Sequence, residues 1–126
     1  MNQDIRTLAD TIYHEAGHKN ISVMEAIANV VLNRLKHACF GINPWWGKTV
    51  TEVCLKPAQF THHPIDNPND AVYQICRRIA VRAVKGLLPD NTKGATCYHP
   101  ITEHPKWAYS AVPCAKIGDL LFYDIV

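Results

Sequence analysis

Apolar residues recur at helical spacing from the first turn of the chain. Ile5, Leu8, Ala9, Ile12 and Ala16 fall on one stripe, which predicts a helix from about Asp4 to His14 or a little beyond. A second helix is marked by Val23, Ala26, Ile27, Val30, Val31 and Leu35, with Ser22-Val23-Met24-Glu25 reading as a capping box ahead of it. A third is expected to start at Pro68 with Asn67 as N-cap. Val72, Ile75, Cys76, Ile79 and Ala83 are its buried stripe and Gly86 its stop. Between the second and third lies an aromatic and proline-rich stretch from Cys39 to Asp66, holding a short helical turn near Val50 to Leu55. After Gly86 the period changes. Ala95 to Tyr98 and Lys116 to Tyr123 read as short strands separated by a proline-containing loop. Helices followed by a small antiparallel sheet toward the C-terminus define an α+β, mostly α, class.

With no repeats, low-complexity tracts or linkers, residues 1–126 are expected to form one domain, long enough to bury a genuine core. The apolar fraction of 48% and charged fraction of 19% are ordinary for a globular chain, and no apolar run approaches the length of a membrane span. The opening Met1-Asn2-Gln3-Asp4-Ile5-Arg6 lacks the layout of a secretory signal, so the chain is expected either to be delivered by other means or to be cut from something longer. A net charge of +2 with scattered Lys and Arg gives no case for nucleic acid. Cys39, Cys54, Cys76, Cys97 and Cys114 are an odd number with no CxxC pair, which favours buried free thiols over a disulfide framework or a zinc ribbon.

The most conspicuous chemistry is His14-Glu15-Ala16-Gly17-His18. It spells the HExxH signature of a zinc peptidase, two histidine ligands around a general-base glutamate. Helical geometry argues against that reading. With Ile5 at zero and about 100° per residue, the apolar stripe centres near 0°, His14 falls at about 180°, His18 at about 220° and Glu15 at about 280°. Both histidines then face outward, while Glu15 borders the apolar face. The HxxGxxH extension is also missing, since Ile21 and Met24 hold its glycine and histidine positions. His62-His63 and His99 with His104 sit in loop-like segments, where solvated or locally bonded histidine is the default. Arg34, on the apolar face near the end of the second helix, is expected to bond terminal carbonyls or a buried acid.

The segment from Ile12 to Arg34 resembles the catalytic domain of the SleB-like cell-wall hydrolases, the family of the spore cortex-lytic enzymes. Its pattern of Ile-Tyr-x-Glu-Ala, a short turn and a helix closing on Val-Ala-x-Val-Val-Leu-Asn-Arg is matched without a gap by Ile12-Tyr13-His14-Glu15-Ala16 and Ala28-Asn29-Val30-Val31-Leu32-Asn33-Arg34. Further blocks are similar in order and spacing: Thr49 to Val53 leading to Gln59-Phe60, Gly94 to His99, Pro105 to Ala108, and Ile117-Gly118 with Phe122-Tyr123. The chain departs from the pattern where Gly17, His18 and Lys19 replace Arg-Gly-Glu, where Asp119 and Leu120 follow the Ile-Gly pair, and in a longer loop at Pro44-Trp45-Trp46-Gly47.

The resemblance implies a lysozyme-like helical core and a lytic transglycosylase that cuts the β-1,4 bond between N-acetylmuramic acid and N-acetylglucosamine in peptidoglycan. It casts Glu15 as sole acid and base, with a pKa raised by partial burial, and requires no cofactor and no metal. It brings Gln59, Phe60, Tyr98, His99 and Trp107 forward as substrate-binding residues. Lys19 would oppose the raised pKa of Glu15 if it came close. The implied partner is the glycan strand, the implied place of action the bacterial cell wall, and a monomer delivered in the manner of a phage lysin fits the missing signal. The alternatives are a zinc peptidase, a muramidase-type hydrolase and a non-catalytic wall-binding module.

Overall fold

The computed structural model describes residues 2–57, 59–61 and 63–125; His62 lies outside the described residues. Four helices precede a three-stranded sheet: α1 (Asn2–Ala16), α2 (Ile21–Cys39), α3 (Val50–Leu55), α4 (Ala71–Val84), β1 (Cys97–Pro100), β2 (Ala115–Ile117) and β3 (Leu120–Tyr123). The α+β, mostly α, class is what the hydrophobic pattern predicts. Among the described residues no helix is long and apolar enough to cross a membrane.

The core forms where the predicted stripes meet. Leu8, Ala9 and Ile12 of α1, Val30 and Val31 of α2, and Cys76 and Ala80 of α4 have no solvent-accessible surface. α2 is the central helix: Ala26, Ile27 and Ala28 are all fully buried, so its apolar stripe is wider than one face, and it packs against α1, α3 and α4. Its small residues let the neighbouring helices come close. α3 lies where the short turn was expected, capped by Thr49, whose hydroxyl accepts from Glu52 N at 3.1 Å.

Three local expectations are corrected. The N-cap of α2 is Asn20, whose Oδ1 accepts from Val23 N at 3.0 Å, so Ser22 lies inside the first turn and no capping box forms. Glu25 instead reaches across to Arg82 on α4 at 3.1 Å. α4 begins at Ala71 and is capped by Asp70, because Asn67 spends its side chain on Asn69 N in a local turn that holds Pro68 outside the helix. The strand expected from Lys116 to Tyr123 is a hairpin, broken at Gly118 (φ +59°) into β2 and β3.

The sheet is antiparallel with order β1-β3-β2, and Tyr98 faces Phe122 across the central pairing. Side chains of α2 pin the segment that leads into it. Asn33 Nδ2 donates to Ala95 O at 2.9 Å and to Asp90 Oδ2 at 3.1 Å, and Arg34 Nε donates to Thr96 O at 2.7 Å. Asp90 closes the turn by accepting from Thr92 N and Gly94 N. The segment leading into β1 is therefore tied to one helix, and β1 itself to its strand partner β3. Among the described residues Arg34 bonds neither a helix-terminal carbonyl nor an acid; its acceptor is Thr96 O, in the residue just before β1.

Candidate active site

Glu15 occupies the last turn of α1, half-buried, where the chain is about to leave the helix. Gly17 makes that exit possible. Its N–H bonds Tyr13 O at 2.9 Å, and a Cβ there would stand 2.5 Å from the same oxygen. The reversal is then fastened by Lys19, which pairs with Asp119 in the β2–β3 turn at 3.0 Å. Lys19 is thus engaged away from Glu15.

β1 brings Tyr98 to the same place. Its phenol donates to Glu15 Oε1, joining residues 83 positions apart, and among the described residues no hydrogen bond reaches Oε2. Burial, then the neighbouring Glu15 charge and this bond, push the Tyr98 phenol well above its usual range, against an opposing pull from Arg34. Tyr98 is therefore a protonated donor across the neutral and mildly alkaline range.

Around this pair opens a cleft of about 280 Å³ lined by Glu15, Arg34, Gln59, Phe60, Cys97, Tyr98 and Trp107. Gln59, Phe60, Tyr98 and Trp107, four of the five expected binding residues, share it with Glu15. His99 does not. Successive strand residues face opposite ways, so its ring lies behind the sheet, buried between Tyr123 and Trp107. Both its nitrogens are occupied: Nδ1 donates to Pro100 O at 2.7 Å, and Nε2 accepts from Tyr123 Oη at 2.8 Å. His99 is locally bonded as expected, through Pro100 O, but it sits on a strand rather than in a loop and packs against Trp107.

Arg34 was read for the wrong partners, and its place in the cleft is the main feature missed. Its guanidinium lies 4.1 Å from the Trp46 ring and 5.1 Å from the Phe60 ring. An arginine in line with the apolar stripe of Val23, Ala26, Ile27, Val30 and Val31 is the available signal. Trp46 is buried by this stack, whereas Trp45 remains half exposed.

The pentapeptide histidines are not presented together. α1 ends at Ala16, which leaves His18 beyond the helix and exposed, while His14 Nε2 donates to His63 O at 2.7 Å. Among the described residues no three His, Cys, Asp or Glu side chains cluster as metal ligands would. Among the described residues no disulfide joins the cysteines; Cys54 and Cys76 are buried, Cys97 and Cys114 partly so, and Cys39 is exposed.

A concave groove with aromatic walls, an amide, a cation and one carboxylate is a site for a polar polymer such as a glycan, held on a helical scaffold closed by a small sheet. Residues 19–123 match the family model described as Cell Wall Hydrolase, and the chain belongs to that family. The spore cortex-lytic enzyme of Bacillus subtilis is 27% identical over 123 residues, which cover 98% of this chain but 38% of that protein. Two solved structures are similar in fold: the catalytic domain of the Bacillus cereus SleB protein and that of the germination-specific lytic transglycosylase SleB from Bacillus anthracis. Their TM-scores are 0.74 and 0.72, each at 23% identity and 98% coverage of this chain, with 91% and 95% of the respective structures covered.

Proposed function

We propose that this protein cleaves the β-1,4 bond between N-acetylmuramic acid and N-acetylglucosamine in peptidoglycan as a lytic transglycosylase, with Glu15 as the single acid and base. The observation that carries the reading is that Glu15 is the only carboxylate among the described residues lining the cleft. Ordinary retaining and inverting glycosidases place two carboxyl groups at set separations, one to donate a proton and one to attack or to activate water. A transglycosylase needs one. Glu15 first protonates the leaving glycosidic oxygen. The resulting carboxylate then takes the proton from the C6 hydroxyl of the muramic acid, which attacks C1 and closes a 1,6-anhydro ring in place of water.

The bond from Tyr98 suits this cycle. It holds Oε1, fixes the plane of the carboxyl group and leaves Oε2 to carry the travelling proton. Trp107, half exposed at the lip, and Phe60 offer faces for pyranose rings, and Gln59 can both donate to and accept from sugar substituents. Membership of the cell wall hydrolase family and the name of the Bacillus anthracis structure support the same substrate and chemistry.

The test is digestion of purified peptidoglycan by wild type and Glu15→Gln, each with and without EDTA, with products identified by mass spectrometry. Anhydromuropeptides from wild type, at least about 10³-fold fewer from the variant and no effect of EDTA are expected. Reducing-end muropeptides would establish hydrolysis instead, and chelator-sensitive peptide cleavage would overturn the reading.

A further inference from the structure

Arg34 carries an unresolved charge. Its side chain is 5% exposed, yet among the described residues no acid pairs with it; the ion pairs are Lys19–Asp119, His37–Asp124 and Arg82–Glu25. Nε is satisfied by Thr96 O, but Nη1 is buried with no partner and belongs to a side chain that lines the cleft beside Glu15. Burial without a counter-charge pulls its pKa below the usual arginine value, even with the neighbouring Cys97 and Tyr98 working the other way. A buried donor left unmade is costly, so such a group in a cleft marks a contact completed by the ligand.

The surroundings narrow the partner. Trp46 and Phe60 lie against the guanidinium, so its surroundings in the cleft are largely apolar. A guanidinium donates and never accepts, so its partner must bring a lone pair, and an amide carbonyl is a stronger acceptor than a hydroxyl. On a wall glycan that carbonyl belongs either to the acetamido group on each sugar or to the lactyl amide on muramic acid.

We propose that Arg34 is a substrate-binding residue whose Nη1 donates to an amide carbonyl oxygen of the bound glycan, making the enzyme selective for strands that keep that carbonyl. This rests on the reading that the cleft binds peptidoglycan, but not on how the bond is then broken. Removing the acetyl group would leave a bare donor facing a new ammonium, two unfavourable terms at once.

Binding of peptidoglycan tetrasaccharides is measured by calorimetry on the Glu15→Gln protein, where turnover does not intrude. Three ligands are compared: intact, de-N-acetylated, and intact glycan stripped of stem peptides so that the lactyl amide becomes a carboxylate. De-N-acetylation is expected to weaken binding at least tenfold, and Arg34→Gln to weaken intact-glycan binding similarly while erasing most of that preference. Arg34→Lys keeps the charge and loses the fork, and is expected to recover only part of the affinity. A change on peptide stripping, abolished by Arg34→Gln and unmatched by de-N-acetylation, assigns the lactyl carbonyl instead and also supports the proposal. Folded variants that keep the parent's ratios among the three ligands overturn it. Should neither variant fold, equal affinity of the parent for all three ligands overturns it, and a preference supports it. A parent that binds none of them sinks the wall reading itself, before any Arg34 variant is made.

Discussion

The Glu15–Tyr98 bond is where the two halves of the chain meet in a chemical sense. Tyr98→Phe keeps the ring against Phe122, 5.6 Å between centroids, and removes only the donor to Oε1. Anhydromuropeptide formation is expected to fall about 10- to 100-fold, the worth of a charge-assisted hydrogen bond, mostly in kcat. A change in KM alone, in steady-state assays on soluble glycan, would mean that the phenol binds sugar and does not serve Glu15. Helical arithmetic puts Glu15 at the border of the apolar stripe, and the ordered family blocks single it out as the candidate acid. The sequence leaves Tyr98 and His99 undivided, although strand alternation separates adjacent side chains onto opposite faces. Arg34 finds a different partner because its acceptor, Thr96 O, lies 62 residues away, just ahead of a strand whose docking no local pattern encodes.

Helix existence was legible throughout, and helix starts were not. Ser22 and Asn67 were plausible caps, but each lost to a residue whose side chain met a free N–H in the real geometry: Asn20 at α2 and Asp70 at α4. Caps are chosen by where the chain arrives from, which neighbouring sequence does not state. Asn20→Ala is expected to destabilise the protein by about 1 kcal/mol in urea unfolding. Gly118→Ala should cost more, on the order of 2–3 kcal/mol, since it combines a left-handed backbone with crowding of Val23. There φ is +59° and a Cβ would stand 2.8 Å from Val23 Cγ2. An equal or smaller loss than for Asn20→Ala would show that the hairpin turn relaxes at little cost. The single strand expected over residues 116–123 failed at this same glycine, because the apolar residues on both sides of it hid the break.

Taken whole, the molecule buries reactive thiols as packing material. Burial pushes Cys54 up to about 12 and Cys76 up to about 11. In the unfolded chain both ionise near the ordinary thiol value, so between about pH 9 and 11 the unfolded state holds fewer protons than the native one. Stability is then present in full below about pH 9 and drains away as pH rises, by up to about 1.4 kcal/mol per pH unit for each thiol. Urea midpoints from pH 8 to 11 under reducing conditions check this, and Cys54→Ala should flatten the fall. The class of fold and most of the cleft were readable from periodicity and from blocks of residues in order. What needed coordinates was the crossing of distant segments that places β1 against α1.

The strand order β1-β3-β2 has a consequence for synthesis. Tyr98 rides on β1, whose strand neighbour among the described residues is β3, residues Leu120–Tyr123. A nascent chain that has cleared only 110 residues holds Glu15, Arg34, Gln59 and Trp107, yet has no strand to pair with Tyr98. The cleft therefore waits on Leu120–Tyr123 for its strand pairing, and a fragment that stops at residue 110 contains the acid but lacks the strand that holds β1.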